Sequence, residues 1–404
     1  PTLGTALAIV GGTGSRGSAS RLLARGPATW VGDRSYSWYL WHWPVIVFAR
    51  ALWPGRSWVL VVAALASLLP ALASYRWVEQ PIRHRPAEAR PTLRLGLACL
   101  VVPILAGGLA LAAGHLVDRR PAVVDYRNQL RRHLDATAGC FGADDPLDGG
   151  FCTWALPGRP TTSVDVLLVG DSNAGQFSEP VIAAARGLRR NATIRTKGVC
   201  PVSGLTPVLD GFVDRSCATF VDDLLDQIDA ARPEVVVLSS ASDGYVGDPR
   251  FALLDADGVE HRTQADKEAS WAAGLARTIE RIRATGAAVV VVQPIPKFPG
   301  WDPAECAVGR VLLAPGSCSI SAPRADLLDA RAAAVRAQER AVAAAGAGVA
   351  LVDPFPIVCP GDPCRARHDG ELWWRDGAHV SVAGAERVEP ALAAGLRDAL
   401  VGAA

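Results

Sequence analysis

Two short motifs in this sequence contain the residue types of a nucleophilic catalytic site. The first is Gly-Asp-Ser at positions 170–172, which follows an apolar run where a strand would end and a helix begin. The second is Asp-Gly-Ala-His at positions 376–379. A serine becomes a nucleophile when a histidine accepts its proton and a carboxylate orients that histidine. We therefore predict Ser172 as nucleophile, His379 as general base and Asp376 as the residue that orients it.

Each motif alone also has an ordinary structural explanation. Asp171 or Ser172 could simply cap a helix. Asp376 and His379 could be a carboxylate and a histidine that are neighbours on the surface. The joint catalytic interpretation is favoured because the two motifs occur in this order and at the expected places of a parallel-sheet domain.

Strand and helix signals alternate from residue 161 to residue 404. Continuous Val/Leu runs separated by helical segments are typical of βαβ units, in which a parallel sheet is covered on both faces. Ligands of such sheets bind at the carboxyl ends of the strands. We predict an α/β domain with three layers and a parallel sheet. Its strands are expected at Val164–Val169, Ala192–Thr196, Glu234–Ser239, Ala287–Gln293 and Val349–Asp353.

The region before residue 118 has the composition of a membrane domain. Apolar segments at residues 36–53, 58–75 and 95–114 reach the length of a span. Residues 1–12 are interpreted as the end of a further, truncated span. Because the sequence opens at Pro1 inside that apolar run, we expect it to be the C-terminal part of a longer protein.

Arginines and cysteines indicate which side of the membrane the α/β domain occupies. Arginines cluster between residues 16 and 34 and again between 76 and 94, so the positive-inside rule places both loops in the cytoplasm. Residues after 117 are then outside, where a linker and disulfide-pinned lead-in at 119–160 would precede the α/β domain. The net charge of +1 argues against a nucleic-acid partner.

Eight of the nine cysteines follow residue 139, as four sequence-local pairs. An even number of cysteines in an exported domain favours disulfides. Zinc binding is the alternative, but the spacings are irregular and no Cys-x-x-Cys occurs, so we predict no metal site. The expected disulfides are Cys140–Cys152, Cys200–Cys217, Cys306–Cys318 and Cys359–Cys364.

From about residue 164 to residue 400 the sequence resembles the SGNH/GDSL hydrolase-like superfamily, through Gly-Asp-Ser and through Asp-Gly-Ala-His-Val-Ser at 376–381. The resemblance implies an oxyanion hole that includes the Ser172 and Gly198 backbone amides. The family completes this hole with an asparagine, which is absent from Ser-Ser-Ala-Ser-Asp-Gly at 239–244. Either a serine hydroxyl such as that of Ser242 donates instead, or the hole relies on backbone amides alone.

Two segments of the membrane region resemble the acyltransferase-3 family. Gly-Asp-Arg-Ser-Tyr-Ser-Trp-Tyr-Leu-Trp-His-Trp-Pro at 32–44 is similar to a late-helix signature, and Tyr-Arg-Trp-Val-Glu-Gln-Pro-Ile-Arg at 75–83 to the closing segment. An interfacial aromatic belt would explain the Trp and Tyr residues. It would not explain His42, a costly polar group at membrane depth. The catalytic histidine of that family belongs to an early helix that this sequence lacks.

Proteins that fuse these two domains O-acylate envelope glycans in bacteria. The resemblance therefore implies a multi-pass cell-membrane O-acyltransferase with an external SGNH domain. The full-length protein would take an acyl group from acyl-CoA, most simply acetyl-CoA, and the acceptor would be a hydroxyl of an envelope glycan or glycolipid. No cofactor is expected in this sequence itself, and the missing acyltransferase-3 helices of the same protein are the expected partner.

Two alternatives stay open. One is a membrane-tethered SGNH esterase or deacetylase, in which water resolves the acyl-serine. The other is a catalytically degenerate glycan-binding domain. Trp301, Trp373 and Trp374 are predicted in loops and are candidates for stacking on sugar rings, although loop tryptophans commonly pack against their own domain.

Overall fold

The computed structural model describes residues 24–403 apart from 54, 85–88, 143–146 and 148–149. The predicted truncated span at residues 1–12 lies outside the described residues. The chain divides into two compact units, and the boundary falls after Arg120, with Ala307–Arg310 grouped with the first unit.

The first unit is helical. Two of its stretches are long and apolar enough to cross a membrane, judged by length and composition: Ser57–Arg83 and Thr92–Asp118. They contain the predicted spans 58–75 and 95–114. The helices are α1 (Gly26–Leu52), α2 (Ser57–Ala66), α3 (Leu68–Ser74), α4 (Gln80–Arg83) and α5 (Ala89–Asp118), and one π-helical turn, Tyr75–Glu79, joins α3 to α4.

The predicted span at residues 36–53 differs from the other two. It lies almost wholly in α1, which is long enough to cross a membrane. However, α1 is less apolar than α2 and does not qualify as a candidate span among the described residues. His42 lies on this helix, and its Nδ1 is 2.7 Å from the Tyr39 carbonyl oxygen.

The two segments of the first unit that resemble acyltransferase-3 motifs contact each other. The Ser37 hydroxyl donates to Glu79 Oε2 over 2.7 Å, and Ser37 is buried. Next to it, Trp38 Nε1 donates to Ser67 Oγ over 2.9 Å. A buried hydroxyl facing a carboxylate gives both polar groups a partner, which limits the cost of enclosing them.

The second unit contains the strands and the remaining helices, except that the first residues of the helix Val308–Leu313, up to Arg310, group with the first unit. Its strands are β1 (Thr153–Trp154), β2 (Val166–Gly170), β3 (Ala192–Thr196), β4 (Thr206–Leu209), β5 (Phe212–Val213), β6 (Val235–Ser239), β7 (Phe251–Leu254), β8 (Glu260–His261), β9 (Ala288–Val292), β10 (Ser321–Ala322), β11 (Val349–Val352), β12 (Cys364–Arg365), β13 (Arg367–His368), β14 (Glu371–Leu372), β15 (Trp374–Asp376) and β16 (His379–Val380). Its helices are α6 (Pro121–Gln129), α7 (Leu134–Thr137), α8 (Ser172–Gly175), α9 (Ser178–Gly187), α10 (Arg215–Ala231), α11 (Ser242–Gly247), α12 (Gln264–Ala284), α13 (Val308–Leu313), α14 (Arg324–Ala345), α15 (Phe355–Val358), α16 (Val382–Glu386) and α17 (Glu389–Ala403).

The central sheet has the order β1-β3-β2-β6-β9-β11. Strand β1 pairs antiparallel with β3, and the other neighbours are parallel. The predicted α/β fold with a mostly parallel sheet is confirmed, and each of the five predicted strands is found with its ends shifted by at most two residues. Because β3 and β6 lie on opposite sides of β2, the strand order reverses there, and ligands of open α/β sheets bind at such a switch point.

The sheet is buried on both faces, which explains its continuous apolar runs. Val166 and Leu168 of β2 pack in one core with α9 and α17. Leu167 and Val169 point the other way, into a second core with α10, α12 and α14. All four side chains are fully buried, and each such burial contributes about 1.5–3 kcal/mol relative to exposure.

Most of the segment predicted as a linker and lead-in, residues 119–160, belongs to the second unit. The Tyr126 hydroxyl of α6 donates to the Pro303 carbonyl over 2.7 Å. Gln129 Oε1 accepts from the Leu372 backbone N–H over 2.8 Å. Helix α6 therefore contacts the α/β domain through both of these side chains. The four cysteine pairs are joined as Cys140–Cys152, Cys200–Cys217, Cys306–Cys318 and Cys359–Cys364.

Candidate active site

The structure brings Ser172, His379 and Asp376 together at the carboxyl end of the sheet. His379 Nε2 lies 2.9 Å from Ser172 Oγ. On the other side of the ring, His379 Nδ1 lies 2.8 and 3.0 Å from the two oxygens of Asp376. Ser172 begins α8 directly after β2, and His379 lies in β16, which pairs with the strand that ends at Asp376. This hydrogen-bonded chain has the geometry of a serine activated by an oriented histidine.

The surroundings of Asp376 favour its ionised form. Burial raises its pKa, but the hydrogen bond and charge of His379, the Ala378 N–H and the nearby Arg375 guanidinium outweigh that effect. The pKa of Asp376 is therefore lowered from 3.8. The Ala378 N–H donates to Asp376 Oδ1 over 2.9 Å, so the carboxylate is fixed from two directions. An ionised Asp376 holds the His379 tautomer in which Nε2 can accept the serine proton.

The Gly-Asp-Ser turn depends on close contact between β2 and β6. Gly170 has a φ of +144°, and a Cβ there would lie 1.8 Å from the Ser239 carbonyl oxygen, so only glycine fits. The buried Asp171 carboxylate accepts from the Asn173 N–H at 2.7 Å, the Ala241 N–H at 2.9 Å and the Tyr245 hydroxyl at 2.7 Å. Through these hydrogen bonds, Asp171 connects the turn at Ser172 with the loop that follows β6.

Asp171 and Tyr245 also perturb each other electrostatically. Burial raises the pKa of the Asp171 carboxyl, against the opposing effect of its three hydrogen-bond donors. Burial and the adjacent Asp171 carboxylate raise the pKa of Tyr245 well above 10.0. Tyr245 therefore stays a hydrogen-bond donor at neutral pH. From the sequence Asp171 is expected only as a possible helix cap, and no pattern there indicates this connection to the loop after β6.

The predicted oxyanion-hole residues occupy different environments. Gly198 follows β3 at the same edge of the sheet as Ser172 and packs against Phe141, which lines the cavity of Ser172. Ser242 is fully buried at the start of α11, and its hydroxyl has no partner among the described residues. Ser242 is also not among the residues that line the cavity of Ser172. The structure thus gives no support to a Ser242 donor, while Gly198 stays compatible with its predicted role.

A cavity of about 180 Å³ opens over Ser172 and His379. Side chains from the segment before the sheet form one wall, and Arg375 lies on another. The lining residues from that segment are Arg132, His133, Asp135, Ala136 and Phe141. These residues are brought to Ser172 by the tertiary packing of the segment around α7. No motif or spacing in the sequence indicates this contact, so they are not among the predicted site residues.

A larger groove of about 920 Å³ lies beside the Asp376–Ala378 turn. Its walls are mixed: Pro296, Pro299 and Trp301 are apolar, and Lys297 pairs with Asp243 over 2.6 Å. This groove and the cavity over Ser172 both border the stretch Arg375–His379. It is large enough for a drug-sized or oligosaccharide-sized ligand.

The tryptophans proposed for sugar stacking differ in accessibility. Trp374 is fully buried, and its Nε1 donates to the Pro296 carbonyl over 3.1 Å. Trp373 is also buried, stacked on His368 at 3.8 Å. Both pack against their own domain and are unavailable to a ligand. Trp301 is only partly buried and lines the larger groove.

Within the described ranges of the chain, no group of three or more His, Cys, Asp or Glu side chains could hold a metal ion. The residues around Ser172 supply hydrogen-bonding and acid–base groups. The chemistry that this arrangement can perform is acyl transfer through a serine.

Comparison with known proteins places the site in a family. Residues 139–394 match the family model described as "SGNH domain (fused to AT3 domains)". OatA of Staphylococcus aureus (strain NCTC 8325 / PS 47), an O-acetyltransferase, is 37% identical over 73 residues, 17% of this chain and 12% of OatA. YrhL of Bacillus subtilis (strain 168), named as a candidate peptidoglycan O-acetyltransferase, is 31% identical over 129 residues, 27% of this chain and 20% of YrhL.

The chain thus spans a fifth or less of the length of these relatives. Among solved structures, the periplasmic domain of the lipopolysaccharide acetyltransferase of Salmonella ser. Paratyphi A aligns with a TM-score of 0.43 at 13% identity, over 68% of this chain and 96% of that one. The family match covers more than half of the chain and includes Ser172, Asp376 and His379. The chain belongs to the family of SGNH domains that are fused to AT3 domains.

Proposed function

We propose that this chain is part of a membrane-bound O-acyltransferase that acylates, most simply acetylates, a hydroxyl of a cell-envelope glycan. The observation that carries the proposal is the hydrogen-bonded chain from Ser172 through His379 to Asp376 in a domain of this family. The named activity of OatA, O-acetyl transfer, agrees with it.

The reaction has two acyl transfers at one serine. His379 Nε2 accepts the Ser172 proton as Oγ attacks the carbonyl carbon of an acyl donor, and it returns that proton to the leaving group. A sugar hydroxyl then attacks the acyl-serine, and His379 takes its proton and gives it back to Ser172. The backbone amides of Ser172 and Gly198 are the proposed donors to the oxyanion in both steps.

The first unit supports a proposal for the acyl donor and for the side of the membrane. Two stretches that are apolar enough to span a membrane precede the SGNH domain, and arginines cluster between residues 76 and 94, where the first stretch ends and the second begins. We infer that the SGNH domain is extracytoplasmic, where the four disulfides are stable. The full-length protein would bring the acyl group from cytoplasmic acyl-CoA to Ser172. The larger groove beside Asp376 is the proposed site of the acceptor glycan.

Incubation with an activated acyl ester tests the catalytic half of the proposal. The full chain in detergent is mixed with 4-nitrophenyl acetate, and peptides are analysed by mass spectrometry. We expect an acetyl group on Ser172 that is absent from Ser172→Ala and strongly reduced in His379→Ala. A wild-type protein that acquires no more acetyl at this position than Ser172→Ala contradicts both enzymatic readings and favours a degenerate glycan-binding domain.

Acceptors then distinguish transfer from hydrolysis. Envelope glycan fragments are added to the acetylated protein, and the release of acetate and the formation of O-acetylated glycan are measured together. We expect glycan hydroxyls to shorten the lifetime of the acyl-serine and to receive the acetyl group. Release only as acetate with every glycan offered supports the esterase alternative.

A further inference from the structure

Val380, the residue directly after His379, is held at both of its backbone polar atoms by side chains. Its N–H donates to Gln176 Oε1 over 2.9 Å. Its carbonyl oxygen lies 2.9 Å from His133 Nε2. Val380, Gln176 and His133 are all buried, at 0, 1 and 3% exposure. Hydrogen bonds enclosed in this way are costly to break, because water cannot replace the lost partner.

Gln176 links the Val380 backbone to the turn that carries Ser172. It directly follows α8, the short helix that begins with Ser172, and its backbone N–H donates to the Ser172 carbonyl over 3.2 Å. Its Nε2 donates to the Asn173 carbonyl over 3.0 Å. Since that carbonyl can only accept, the amide is oriented with Oε1 toward Val380. The Gln176 side chain thus bridges the turn at Ser172 and Val380, the residue after His379.

His133 links the Val380 backbone to the segment that precedes the sheet. Because the Val380 carbonyl can only accept, Nε2 of His133 carries the proton of their hydrogen bond. Its Nδ1 lies 2.7 Å from Glu179 Oε2, and the other oxygen of Glu179 accepts from the Leu134 N–H over 3.0 Å. Glu179 lies in the first turn of α9, so the ring is fixed between two elements.

We propose that Gln176 and His133 are positioning residues that set the distance between His379 and Ser172. Among the described residues, the hydrogen-bond partners of the His379 ring are Ser172 and Asp376, both of which take part in the proposed reaction. We call the two hydrogen bonds from Gln176 and His133 to the Val380 backbone the clamp. The clamp fixes the backbone next to His379 and does not contact the reacting atoms. His133 lies outside residues 139–394, so the family match does not include it. The inference rests on the proposed function of Ser172 and His379.

Kinetics of acetyl-Ser172 formation test the clamp in the full chain in detergent, with 4-nitrophenyl acetate as the probe. The variants are Gln176→Leu and His133→Leu, with His133→Gln as the conservative change that keeps a donor for the Val380 carbonyl. We expect kcat for acylation to fall on the order of 10²-fold in the leucine variants, as for a misplacement of about 1 Å. KM should change little, and His133→Gln should recover part of kcat. Where a leucine variant does not fold, Gln176→Asn replaces it, since the shorter amide cannot reach both partners.

A control separates positioning from general loss of stability. Val290→Ala removes two methyl groups from a fully buried position of β9 and leaves both hydrogen bonds to the Val380 backbone in place. It should lower resistance to unfolding but leave kcat near that of wild type. Clamp variants that fold and keep kcat within about twofold of wild type overturn the proposal. So does a fall in kcat that Val290→Ala reproduces at matched stability.

A spectroscopic readout keeps the clamp testable if Ser172 accepts no acetyl group. In protein labelled with ¹⁵N-histidine, the His379 Nε2 resonance reports its hydrogen bond with Ser172 Oγ. We expect the clamp variants to shift this resonance in the same direction as Ser172→Ala does. That shift without any acetylation supports the clamp and rejects the proposed function. An unshifted resonance, with acetylation at the wild-type rate, rejects the clamp and leaves the function standing.

Discussion

Replacement of Gly175 by alanine tests how the segment before the sheet supports the serine turn. Gly175 ends α8, and a Cβ there would lie 1.9 Å from Asp135 Oδ2. Real Cβ atoms do not approach within 3.0 Å, so the carboxylate must retreat by more than about 1 Å. Asp135 cannot move freely, because Oδ2 accepts from Thr196 Oγ1 over 2.9 Å and Oδ1 from the Ala136 N–H over 2.7 Å.

The expected loss follows from these contacts. A retreat of that size breaks the bond to Thr196, and a hydrogen bond to a charged group contributes about 1.5–3 kcal/mol. Overpacking of a closed interior typically adds about 1–3 kcal/mol. We therefore expect Gly175→Ala to lower the free energy of unfolding of the second unit by about 2.5–6 kcal/mol. Acylation of Ser172 should slow as well, because Asp135 lines the same cavity.

Pulse proteolysis of the full chain in increasing urea measures this effect, with peptides of the second unit counted by mass spectrometry. Gly187→Ala is the matched control. It also lies at the end of a helix, but a Cβ there meets nothing within 4 Å, so its stability should stay equal or rise slightly. The reasoning is refuted if Gly175→Ala unfolds at the same urea concentration as Gly187→Ala.

Two further changes address catalysis and the acceptor. Asp376→Asn should reduce acetylation of Ser172 on the order of 10⁴-fold, because an amide stabilises the wrong histidine tautomer. Since the pKa of Asp376 is lowered from 3.8, its stabilising effect is present above that pH and is lost as the pH falls below it. The stability difference between wild type and Asp376→Asn, followed by urea unfolding at several pH values, should therefore shrink below about pH 3.8, and a constant difference contradicts the assignment. Trp301→Ala should raise KM for a glycan acceptor several-fold, because Trp301 lines the larger groove, and should leave acetylation by 4-nitrophenyl acetate unchanged. If Trp301→Ala changes the reaction with the glycan acceptor and the reaction with 4-nitrophenyl acetate equally, the acceptor does not bind in the larger groove.

The parts of the fold that repeat a simple pattern could be predicted from the sequence. The β3 strand was predicted with its observed ends, and β2, β6, β9 and β11 were found within two residues, because strands buried on both faces form uninterrupted apolar runs. The pairing of Gly-Asp-Ser with Asp-x-x-His followed from the order of the two motifs and from the place of each in a parallel-sheet domain. These patterns are local in the sequence, so they can be recognised without any knowledge of tertiary contacts.

The contacts that support the site could not be predicted in this way. His133, Asp135 and Gln176 act through hydrogen bonds to partners far away in the sequence, and no periodicity or spacing marks such pairs. The small antiparallel sheet β5-β4-β7-β8 was missed because its strands are only two to four residues long. Residues 119–160 are predicted only as a linker and disulfide-pinned lead-in, since α6 and α7, at nine and four residues, are too short to show a periodic pattern.

The order of the elements along the chain has a consequence for biosynthesis. Ser172 and His379 are 207 residues apart, and one follows the first long strand of the sheet while the other follows the last. Chains emerge from the ribosome N-terminus first, and contacts of such large separation form late in folding. In a molecule that is unfolded or that ends before residue 379, Ser172 therefore has no histidine at hydrogen-bonding distance. Under the proposed function, the serine of such a molecule is not activated, and acyl transfer begins only after the whole domain has been made and folded.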